Sequence, residues 1–555
     1  MRVRSELVGA CALCCVAGSS IATWNPNAGQ WGKTDANDLR VMTWNVQDGI
    51  CTTATKNNTV NDWHGLVRTI QLLQPDILIL QECGDNSGNG TGAGVDSVAN
   101  LTTVCQLLIE GGPDPFKGGT ATTFVQNWAP GFSMPYVFVS ASTDNFNRNV
   151  IMSRFPFADQ NGDGKSTYSD IPPVSTFTVP GKWAPGGGGG IRGFMFAEID
   201  LPPQYAGEIV MGCAHLKAGG SSSDKAERLA ASQNVAWVIE QWYNGAGTGS
   251  PDPAGIVLDN PQATHILAPN TPVVIGGDWN EDENTNGRKG PAAWLSEAEF
   301  ASPTLDGTDR DRTDSLLDTS VDLLGSRQTQ NSGSKLDYIM WQDSIATARR
   351  SFVFNSANMT GGVPVPAEWS DIGFPTGISA TSADHRAVVV DFILPMAPPT
   401  GACCIAGSCS DLTEADCLTA LGAYQGEGTD CGSVSCTPVG VCCFACNVAI
   451  APPCPAAGGS GPACAEMEEA ACVALSGVYR GDETTCAGSP TICDCTGDIT
   501  GDGLTNAADF TVLAGQFGQG TPDCRTRAQG DLNCDGVVNA ADFTILAGSF
   551  GCDAN

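Results

Sequence analysis

The sequence is poor in positive charge. It contains 27 Lys and Arg against 60 Asp and Glu, which gives a formal net charge of −33 at pH 7. Because no cluster of basic residues marks a polyanion-binding surface, the composition argues against a tight nucleic-acid binder. It leaves open an enzyme that engages a phosphodiester briefly through a metal ion.

Long apolar segments are missing as well. After the N-terminus there is no stretch of about 18 uncharged apolar residues, so we expect no transmembrane segment. The N-terminus has two arginines, a short apolar run and small residues ending at Ala22, which is typical of a cleaved export signal. We therefore expect residues 1–22 to be a signal peptide and the protein to be secreted or held at the cell surface.

Cysteine is concentrated near the end of the chain. Of the 25 cysteines, 18 lie after residue 396, and residues 401–493 contain a duplication in which "EADCLTALGAYQGEGTDC" matches "EAACVALSGVYRGDETTC". Such small repeats carry too little apolar mass for a core, so we expect disulfides to hold them. Cys443 and Cys446 would also suit zinc, but no histidine follows His385, and export favours oxidation.

A second duplication fills residues 494–555, where "DITGDGLTNAADFTVLAGQFG" is followed by "DLNCDGVVNAADFTILAGSFG". Each copy has oxygen-bearing side chains at loop positions 1, 3, 5, 9 and 12 and glycine at position 6, a spacing that wraps a loop around Ca²⁺. The predicted ligands are Asp498, Thr500, Asp502, Asn506 and Asp509 in the first loop, and Asp531, Asn533, Asp535, Asn539 and Asp542 in the second.

These loops and the helix-like runs after them resemble dockerin modules, which bind cohesin domains. The resemblance implies a cohesin-like protein partner, whereas the loops by themselves indicate only calcium. Thr500 departs from the usual Asp or Asn at position 3, which weakens the expected first site. A calcium-stabilised terminal module without a partner is the alternative. The stretch Asp159–Asp170 has a similar spacing, and whether it binds calcium stays open.

With 555 residues the chain is too long for one hydrophobic core. From Leu39 to Leu394, strand-like runs alternate with loops and with helical patterns such as "DWHGLVRTIQLLQ" and "SDKAERLAASQNVAWVIEQW". This alternation predicts an α/β sandwich. The candidate strands are "LRVMTWNV", "DILIL", "NVIMS", "GFMFAEIDL", "EIVMGCAHL", "PVVIGG", "LDYIMW" and "RAVVVDFIL".

Polar residues cluster where these strands end. They are Asn45, Glu82, His215, Asp278, Asn280, Asp337, Asp384 and His385. Strand ends on a rigid sheet are places where a site can be built, because the scaffold fixes the side chains and the loops leave room for substrate. Carboxylate and carbonyl oxygens suit a hard divalent metal, and an imidazole can take a proton from an attacking water.

The motifs "TWN", "LQE", "SRFP", "AHL", "GGDWN", "LDY" and "SADH" occur here in the order seen in the endonuclease/exonuclease/phosphatase superfamily. The chain resembles that superfamily, which includes deoxyribonuclease I, apurinic endonucleases, sphingomyelinases and inositol phosphatases. The resemblance implies a four-layer α/β sandwich of two packed β-sheets flanked by helices over residues 37–396. It also implies phosphoester hydrolysis with Mg²⁺ or Mn²⁺.

By this resemblance, Glu82 is similar to the magnesium-binding glutamate, with Asn45 beside it at the metal and phosphate. Asp278 is similar to the carboxylate that aligns the nucleophilic water, and Asn280 to the amide that holds the scissile phosphate. The glycine pair before Asp278 leaves room for a close backbone approach.

The histidines take the remaining roles that the resemblance implies. His385 is similar to a catalytic base paired with a carboxylate, for which Asp337 is the candidate, and Asp384 would bind metal or support the site. His215 resembles the second histidine, which contacts phosphate or protonates the leaving oxygen. The two histidines can exchange roles, and the carboxylate partner of His215 stays open.

Among possible substrates we favour nucleic-acid phosphodiesters, because extracellular nucleases are common in the superfamily. The alternative is a secreted phosphatase or a phospholipase C-type enzyme such as a sphingomyelinase, whose smaller or neutral substrates suit an acidic surface better. A non-catalytic adhesion protein is a third hypothesis, which the intact set of site residues disfavours.

Overall fold

A computed structural model gives the fold of the chain. The described residues are 24–48, 50, 56–57, 60–84, 97–114, 118–140, 147–158, 191–229, 231–232, 267–286, 290–291, 315–359, 363–405, 407–420, 422–434, 436, 440–444, 463–467, 469–474, 478–482, 497–502, 504–519, 530–532 and 537–550. The predicted signal peptide and Asp159–Asp170 lie outside them. The chain divides into two compact units, Met1–Ala397 and Pro398–Asn555.

The first unit contains strands and helices in alternation. The strands are β1 (Trp24–Asn25), β2 (Gln30–Trp31), β3 (Leu39–Asn45), β4 (Ile77–Cys83), β5 (Gly112–Pro113), β6 (Thr120–Ala121), β7 (Tyr136–Val139), β8 (Arg148–Ser153), β9 (Ile191–Ile199), β10 (Ile209–Leu216), β11 (Val273–Asp278), β12 (Ser315–Leu317), β13 (Asp337–Gln342), β14 (Thr347–Val353) and β15 (Val388–Ile393). The helices are α1 (Asp62–Leu73), α2 (Val98–Glu110), α3 (Glu283–Asn286) and α4 (Ile378–Ser382), and residues 222–229 and 231–232 are also helical. Short 3₁₀ helices lie at Pro26–Ala28, Val125–Asn127, Ser356–Asn358, Ala367–Trp369 and Pro375–Gly377.

Two large sheets organise this unit. One has the order β14-β15-β3-β4-β8-β7, and the other has the order β12-β13-β11-β10-β9. The neighbours β3 and β4 are parallel, as are β10 and β11, whereas the remaining pairs in both sheets are antiparallel. The carboxyl ends of two parallel neighbours meet at one edge of a sheet, so each sheet brings two strand ends together.

The two sheets pack face to face. Val41 of the first sheet lies in one buried cluster with Met211 and Val274 of the second. Successive strand residues point to opposite faces, so Met42 and Trp44 face the other way, where they join a separate buried cluster that includes residues of α1 and α2. The predicted α/β class is therefore confirmed, with two packed sheets and helices over the outer face of the first.

Several elements are not evident from the sequence pattern, among them β14 and α2. β14 reads "TARRSFV", and its two arginines conceal the strand pattern. It is an edge strand in which Arg349 bonds Asp38 and Arg350 lies over the Trp24 ring. α2 has apolar residues at helical spacing, but its two adjacent threonines lower the helix propensity.

The second unit repeats a small disulfide-bonded sheet. Its strands are β16 (Thr400–Ile405), β17 (Ser408–Thr413), β18 (Ala423–Tyr424), β19 (Gly440–Phe444), β20 (Ala463–Met467) and β21 (Val478–Asp482), and its helices are α5 (Glu414–Thr419), α6 (Glu469–Ala474), α7 (Ala507–Gln516) and α8 (Ala540–Ser549). The sheet orders β17-β16-β18 and β20-β19-β21 match the duplication in the sequence.

Disulfides hold these repeats, as predicted. The pairs are Cys403–Cys417, Cys404–Cys436, Cys409–Cys431 and Cys442–Cys472. The first and last pairs occupy equivalent positions in the two repeats, so the duplicated spacing carries a duplicated bridge. Cys446 lies outside the described residues. Within the part of the chain that the structure describes, no helix combines the length and apolar character needed to cross a membrane.

Candidate active site and calcium loops

The predicted site residues of the first unit converge from both sheets. Asn45 ends β3 and Glu82 lies in β4 of one sheet, whereas the other sheet carries a row of three side chains across adjacent strands. In that row His215 is the register partner of Asp278, and Asp278 is the partner of Asp337. Because register partners point to the same face of a sheet, the ladder itself brings these three residues together.

The carboxylate of Asp278 is at the centre of the cluster. Its Oδ2 accepts a hydrogen bond from Asn45 Nδ2 at 3.0 Å and lies 3.5 Å from His215 Nε2 and 3.8 Å from His385 Nε2. Burial disfavours the charged form and raises the pKa of Asp278 to about 7, with Asp337 adding to this rise and His385 opposing it. This carboxylate can therefore hold or release a proton near neutral pH.

His385 is held in a fixed orientation by Asp337. His385 Nδ1 lies 2.7 Å from Asp337 Oδ2, and the His385 carbonyl accepts from Trp44 Nε1 at 3.1 Å. The buried Thr329 hydroxyl in turn accepts from the Asp337 backbone N–H at 3.1 Å. Burial lowers the pKa of His385, but Asp337, Asp278 and Asp384 outweigh it and raise the pKa to about 10. The neighbouring carboxylates thus favour the protonated form of the His385 ring.

Glu82 reaches the cluster through an irregular strand. The register of β4 against β8 shifts between Leu80 and Cys83, and Glu82 has a φ of 55°. A non-glycine residue in this left-handed conformation costs roughly 1–2 kcal/mol, and such strain is concentrated at functional sites. The irregularity places Glu82 Oε1 3.6 Å from His215 Nε2.

The glycine pair Gly276-Gly277 allows the strand of Asp278 to lie close to its neighbours. A Cβ at Gly276 would lie 2.9 Å from Ile79 Cδ1 of the other sheet. Gly277 has a φ of 151°, and a Cβ there would overlap the Ala214 carbonyl oxygen. Gly276 therefore allows the two sheets to pack closely just before Asp278, and Gly277 allows β11 to lie close to β10 within its own sheet, as the sequence pattern indicated.

Asn280 and Asp384 lie at the margins of this cluster. The Asn280 backbone N–H donates to Asp278 Oδ1 at 2.9 Å, and its Nδ2 donates to the Leu216 carbonyl at 3.0 Å. Asp384 Oδ2 accepts from Gln330 Nε2 at 3.1 Å. Asp384 does not belong to either of the close groups of acidic and histidine side chains found here, so its predicted metal role stays a prediction.

The polar residues that orient the site are not evident from the sequence. Thr329 binds the backbone of Asp337, Gln330 binds the carboxylate of Asp384, and Gln47 Oε1 accepts from the Asp384 N–H at 3.0 Å. None of them ends a predicted strand or belongs to a recognised motif. Gln47 follows "TWN" by two residues, and that proximity was the one signal available.

The first predicted calcium loop, residues 498–509, gathers its acidic groups locally. Oxygens of Asp498, Asp502 and Asp509 lie within 4.8 Å of one another. Asp509 Oδ1 accepts from the N–H of Ile499 at 2.7 Å and of Thr500 at 2.8 Å. Burial opposes ionisation of Asp509, but hydrogen bonds from the loop outweigh it and lower its pKa.

The two loops end in the same way. Asn506 and Asn539 cap α7 and α8, and each forms a capping box with the aspartate three residues later, Asp509 or Asp542. Asp542 Oδ1 also accepts from the Leu532 N–H at 2.7 Å. Asp531 is buried at the start of the second loop, whereas Asn533 and Asp535 lie outside the described residues.

Comparison with protein families decides the assignment. Residues 42–385 match the model of the endonuclease/exonuclease/phosphatase family, a span that covers more than half of the chain. The chain belongs to the endonuclease/exonuclease/phosphatase family. Members of this family hydrolyse phosphate esters, so the chain is a phosphoesterase by family. Residues 496–550 match the type I dockerin domain.

Several solved structures are similar to the chain. One is an endonuclease/exonuclease/phosphatase protein from Beutenbergia cavernae, with 18% identity and a TM-score of 0.36 over 67% of this chain and 75% of that one. Another is the human Nocturnin catalytic domain with a bound sulfate anion, with 15% identity and a TM-score of 0.33 over 64% of this chain and 95% of that one. A third is a family protein from Bacteroides thetaiotaomicron, with 12% identity and a TM-score of 0.33 over 64% of this chain and 94% of that one. The search of curated protein sequences returned no match.

Proposed function

We propose that the chain is an exported, metal-dependent phosphodiesterase that hydrolyses nucleic-acid backbones. The observation that carries this proposal is the buried Asp278 carboxylate, which lies between the imidazoles of His215 and His385 with Glu82 beside them. Such a group of acids and bases suits proton transfer around a phosphate ester.

The donor set fits a hard divalent cation. Glu82, His215 and Asp278 offer atoms within 4.8 Å of one another, and burial without enough positive charge raises the pKa of Asp278. We assign Glu82 and Asn45 as the residues that would hold Mg²⁺ or Mn²⁺, with Asp384 supporting them. Asn45 Oδ1 already accepts from the Gln47 N–H at 3.1 Å, which orients that oxygen. When bound, the ion would polarise a phosphoryl oxygen and lower the pKa of His385 by offsetting the negative charge around it.

The remaining residues would act directly on the substrate and the attacking water. Asp278 would align the water, and Asn280 would hold the scissile phosphate. His385 keeps its Nδ1 on Asp337, so its Nε2, 3.8 Å from Asp278 Oδ2, is the atom that would take the proton from water. His215 Nε2 would then contact the phosphate or protonate the leaving oxygen, and the two histidines can exchange these roles.

The excess of acidic residues favours a second candidate function. A net charge of −33 slows the approach of a polyanion. A secreted phosphatase or a sphingomyelinase-like phospholipase C is therefore the alternative, because its substrate is smaller or neutral overall.

The terminal regions support export and attachment. We infer that residues 1–22 are removed on secretion, that residues 401–493 connect the catalytic domain of residues 37–396 to the C-terminal module, and that residues 494–555 bind Ca²⁺ and a cohesin-like protein. The family match to a type I dockerin domain supports the last assignment. N-terminal sequencing of the exported protein tests the cleavage site.

One experiment separates the candidate functions. The purified full-length protein is assayed with Mg²⁺, Mn²⁺ or EDTA against plasmid DNA, RNA, sphingomyelin vesicles and 4-nitrophenyl phosphate. We expect cleavage of DNA or RNA with either metal and none with EDTA. Cleavage of only the vesicles or the monoester would establish the alternative, and cleavage of no substrate would leave a non-catalytic adhesion protein.

A further inference from the structure

A buried arginine joins the loops that follow β10 and β11. Arg228 lies in the helical residues 222–229, and only 1% of its side chain is exposed. Its Nε donates to Glu281 Oε2 at 2.8 Å, and its Nη1 donates to the carbonyls of Lys217 at 2.7 Å and Gly219 at 2.8 Å. One guanidinium therefore binds the segment after His215 and the segment after Asn280.

These contacts continue a series of links between the two parallel strands. The β10–β11 ladder ends where His215 pairs with Asp278. Just beyond it, Asn280 Nδ2 donates to the Leu216 carbonyl. The Arg228–Glu281 contact comes next, one residue after Asn280. Past the end of the ladder, hydrogen bonds from the side chains of Asn280 and Arg228 thus hold the two loops side by side.

The arginine reaches these loops from a helix whose start is well fixed. Ser221 Oγ accepts from the Asp224 N–H at 3.2 Å, and the Ser221 N–H donates to Asp224 Oδ2 at 3.0 Å. These reciprocal bonds form a capping box. Gly219 has a φ of 114°, and a Cβ there would overlap the Asp224 carboxylate. The turn between β10 and this helix is therefore closely determined.

We propose that Arg228 is a positioning residue, which with Glu281 holds the His215 loop and the Asp278–Asn280 loop at the separation that phosphoester hydrolysis requires. The inference rests on the proposed function. A guanidinium suits this task because it is planar, always charged and offers five donors in a fixed geometry. Lysine would keep the charge but could not span the same three acceptors in that geometry.

Arg40 is a matched control for Arg228. It lies in β3 of the first sheet, at the end of the strand away from Asn45. Arg40 is also buried, its Nε and Nη2 bind Asp391 at 2.6 and 2.8 Å, and its Nη1 binds the carbonyls of Trp31 and Leu73 at 2.7 Å each. It precedes Asn45 by five residues of β3, which is about 17 Å along the strand. Arg40 thus makes the same kinds of contact as Arg228 without touching the candidate active site.

The test compares full-length R228Q, R228K, R40Q and R40K with the wild-type protein. Hydrolysis of bis(4-nitrophenyl) phosphate and plasmid DNA gives kcat and KM, and hydrogen exchange is followed in peptides covering residues 215–221 and 278–284. We expect R228Q to lower kcat about 10- to 100-fold, because small misplacement of catalytic groups costs this much. KM should change far less, R228K should recover part of kcat, and both peptides should exchange faster in R228Q.

The Arg40 variants should lose thermal stability but keep kcat. The proposal is overturned if R228Q keeps the wild-type kcat, if only its Tm falls as in R40Q, or if neither peptide exchanges faster. If R228Q does not fold, R228K is measured in its place. An unchanged kcat, a fall in Tm alone, or unchanged exchange in both peptides would then overturn the proposal. If the wild-type protein hydrolyses neither substrate, the proposed function fails, and the exchange of the two peptides still shows whether Arg228 joins the loops.

Discussion

The candidate active site and the first predicted calcium loop each bury an aspartate, but they surround it differently. Asp278 receives hydrogen bonds from Asn45 Nδ2 and the Asn280 N–H, and burial raises its pKa to about 7. Asp509 receives four, three from backbone N–H groups and one from the Thr500 hydroxyl, and its pKa is lowered. The local loop solvates its carboxylate with its own backbone, whereas the distant strands leave Asp278 short of donors.

In the C-terminal loop, hydrogen bonds to Asp509 stabilise the fold. In the candidate active site, the charged form of Asp278 is unfavourable in the folded protein, which suits a group that takes part in a reaction. A carboxylate that is already bonded by backbone N–H groups gives its loop a defined shape. A carboxylate that is short of donors can in addition take a proton or bind a water molecule near neutral pH.

The largest effect is expected from His385→Ala. Removing a general base and its Asp337 contact should lower kcat by about 10²–10⁴-fold, while calcium binding by the C-terminal module stays unchanged. Initial rates and calorimetry on the same preparation measure both. His64→Ala is the control, because His64 is also buried but lies in α1 and stacks on Trp128. Equal rates for the two variants would contradict the proposed role of His385.

Selective removal of calcium should affect the C-terminal module and leave the candidate active site unchanged. With EGTA and excess Mg²⁺, we expect α7 and α8 to lose hydrogen-exchange protection, because a ligand at 100 times its Kd stabilises a fold by about 2.7 kcal/mol. The rate of phosphoester hydrolysis should stay at its calcium-loaded value. Loss of activity with unchanged protection of α7 and α8 would reverse the assignment of the two metals.

The two sites also differ in how far they could be predicted from the sequence, because one is built from a short segment and the other from distant strands. The calcium loops were recognisable because their ligands follow one another at fixed spacing between Asp498 and Asp509 or between Asp531 and Asp542. The active-site residues run from Asn45 to His385. Their positions at the ends of predicted strands grouped them, and the resemblance to a family then implied their roles. The cross-strand row of His215, Asp278 and Asp337 depends on a register that no local pattern specifies.

Residues that act through others were the least predictable. Thr329, Gln330 and Arg228 lie in a loop or a helix, and their function comes from contacts with residues far along the chain. Most of the central strands were predicted because their apolar runs are long, whereas the edge strand β14 was missed because two adjacent arginines interrupt its apolar pattern. Sequence patterns thus predicted the core better than the groups that orient the site.

An aspartate-to-asparagine substitution should have opposite effects on stability in the two regions. In metal-free protein, Asp278→Asn should raise the Tm of the first unit by a few degrees, because it removes a buried charge. The folded pKa of Asp278 is raised, so the wild-type carboxylate costs stability only as the pH rises from about 4 toward 7. The gain from Asp278→Asn should therefore be absent in acid and grow over that range.

Asp509→Asn should instead destabilise the C-terminal module. Its folded pKa is lowered, so its contribution is present above the ordinary pKa of an aspartate and is lost as the pH falls below it. Thermal unfolding in EDTA at several pH values measures both variants. A lower Tm for Asp278→Asn at neutral pH would show that Asp278 is better solvated than its surroundings indicate.

The smallest effect is expected from Thr500→Asn in the first calcium loop. The Thr500 hydroxyl lies 3.0 Å from Asp509 Oδ1 and 3.4 Å from Asp498 Oδ1, so it bonds the acidic side chains of the loop. An asparagine would offer a carbonyl oxygen at position 3, where calcium loops use one. We expect a rise in calcium affinity of up to about tenfold, equivalent to about 1.4 kcal/mol. Thr511→Asn is the control, because the Thr511 hydroxyl bonds the Ala507 carbonyl within α7. An unchanged calcium isotherm for Thr500→Asn would mean that the hydroxyl already serves as the ligand at position 3.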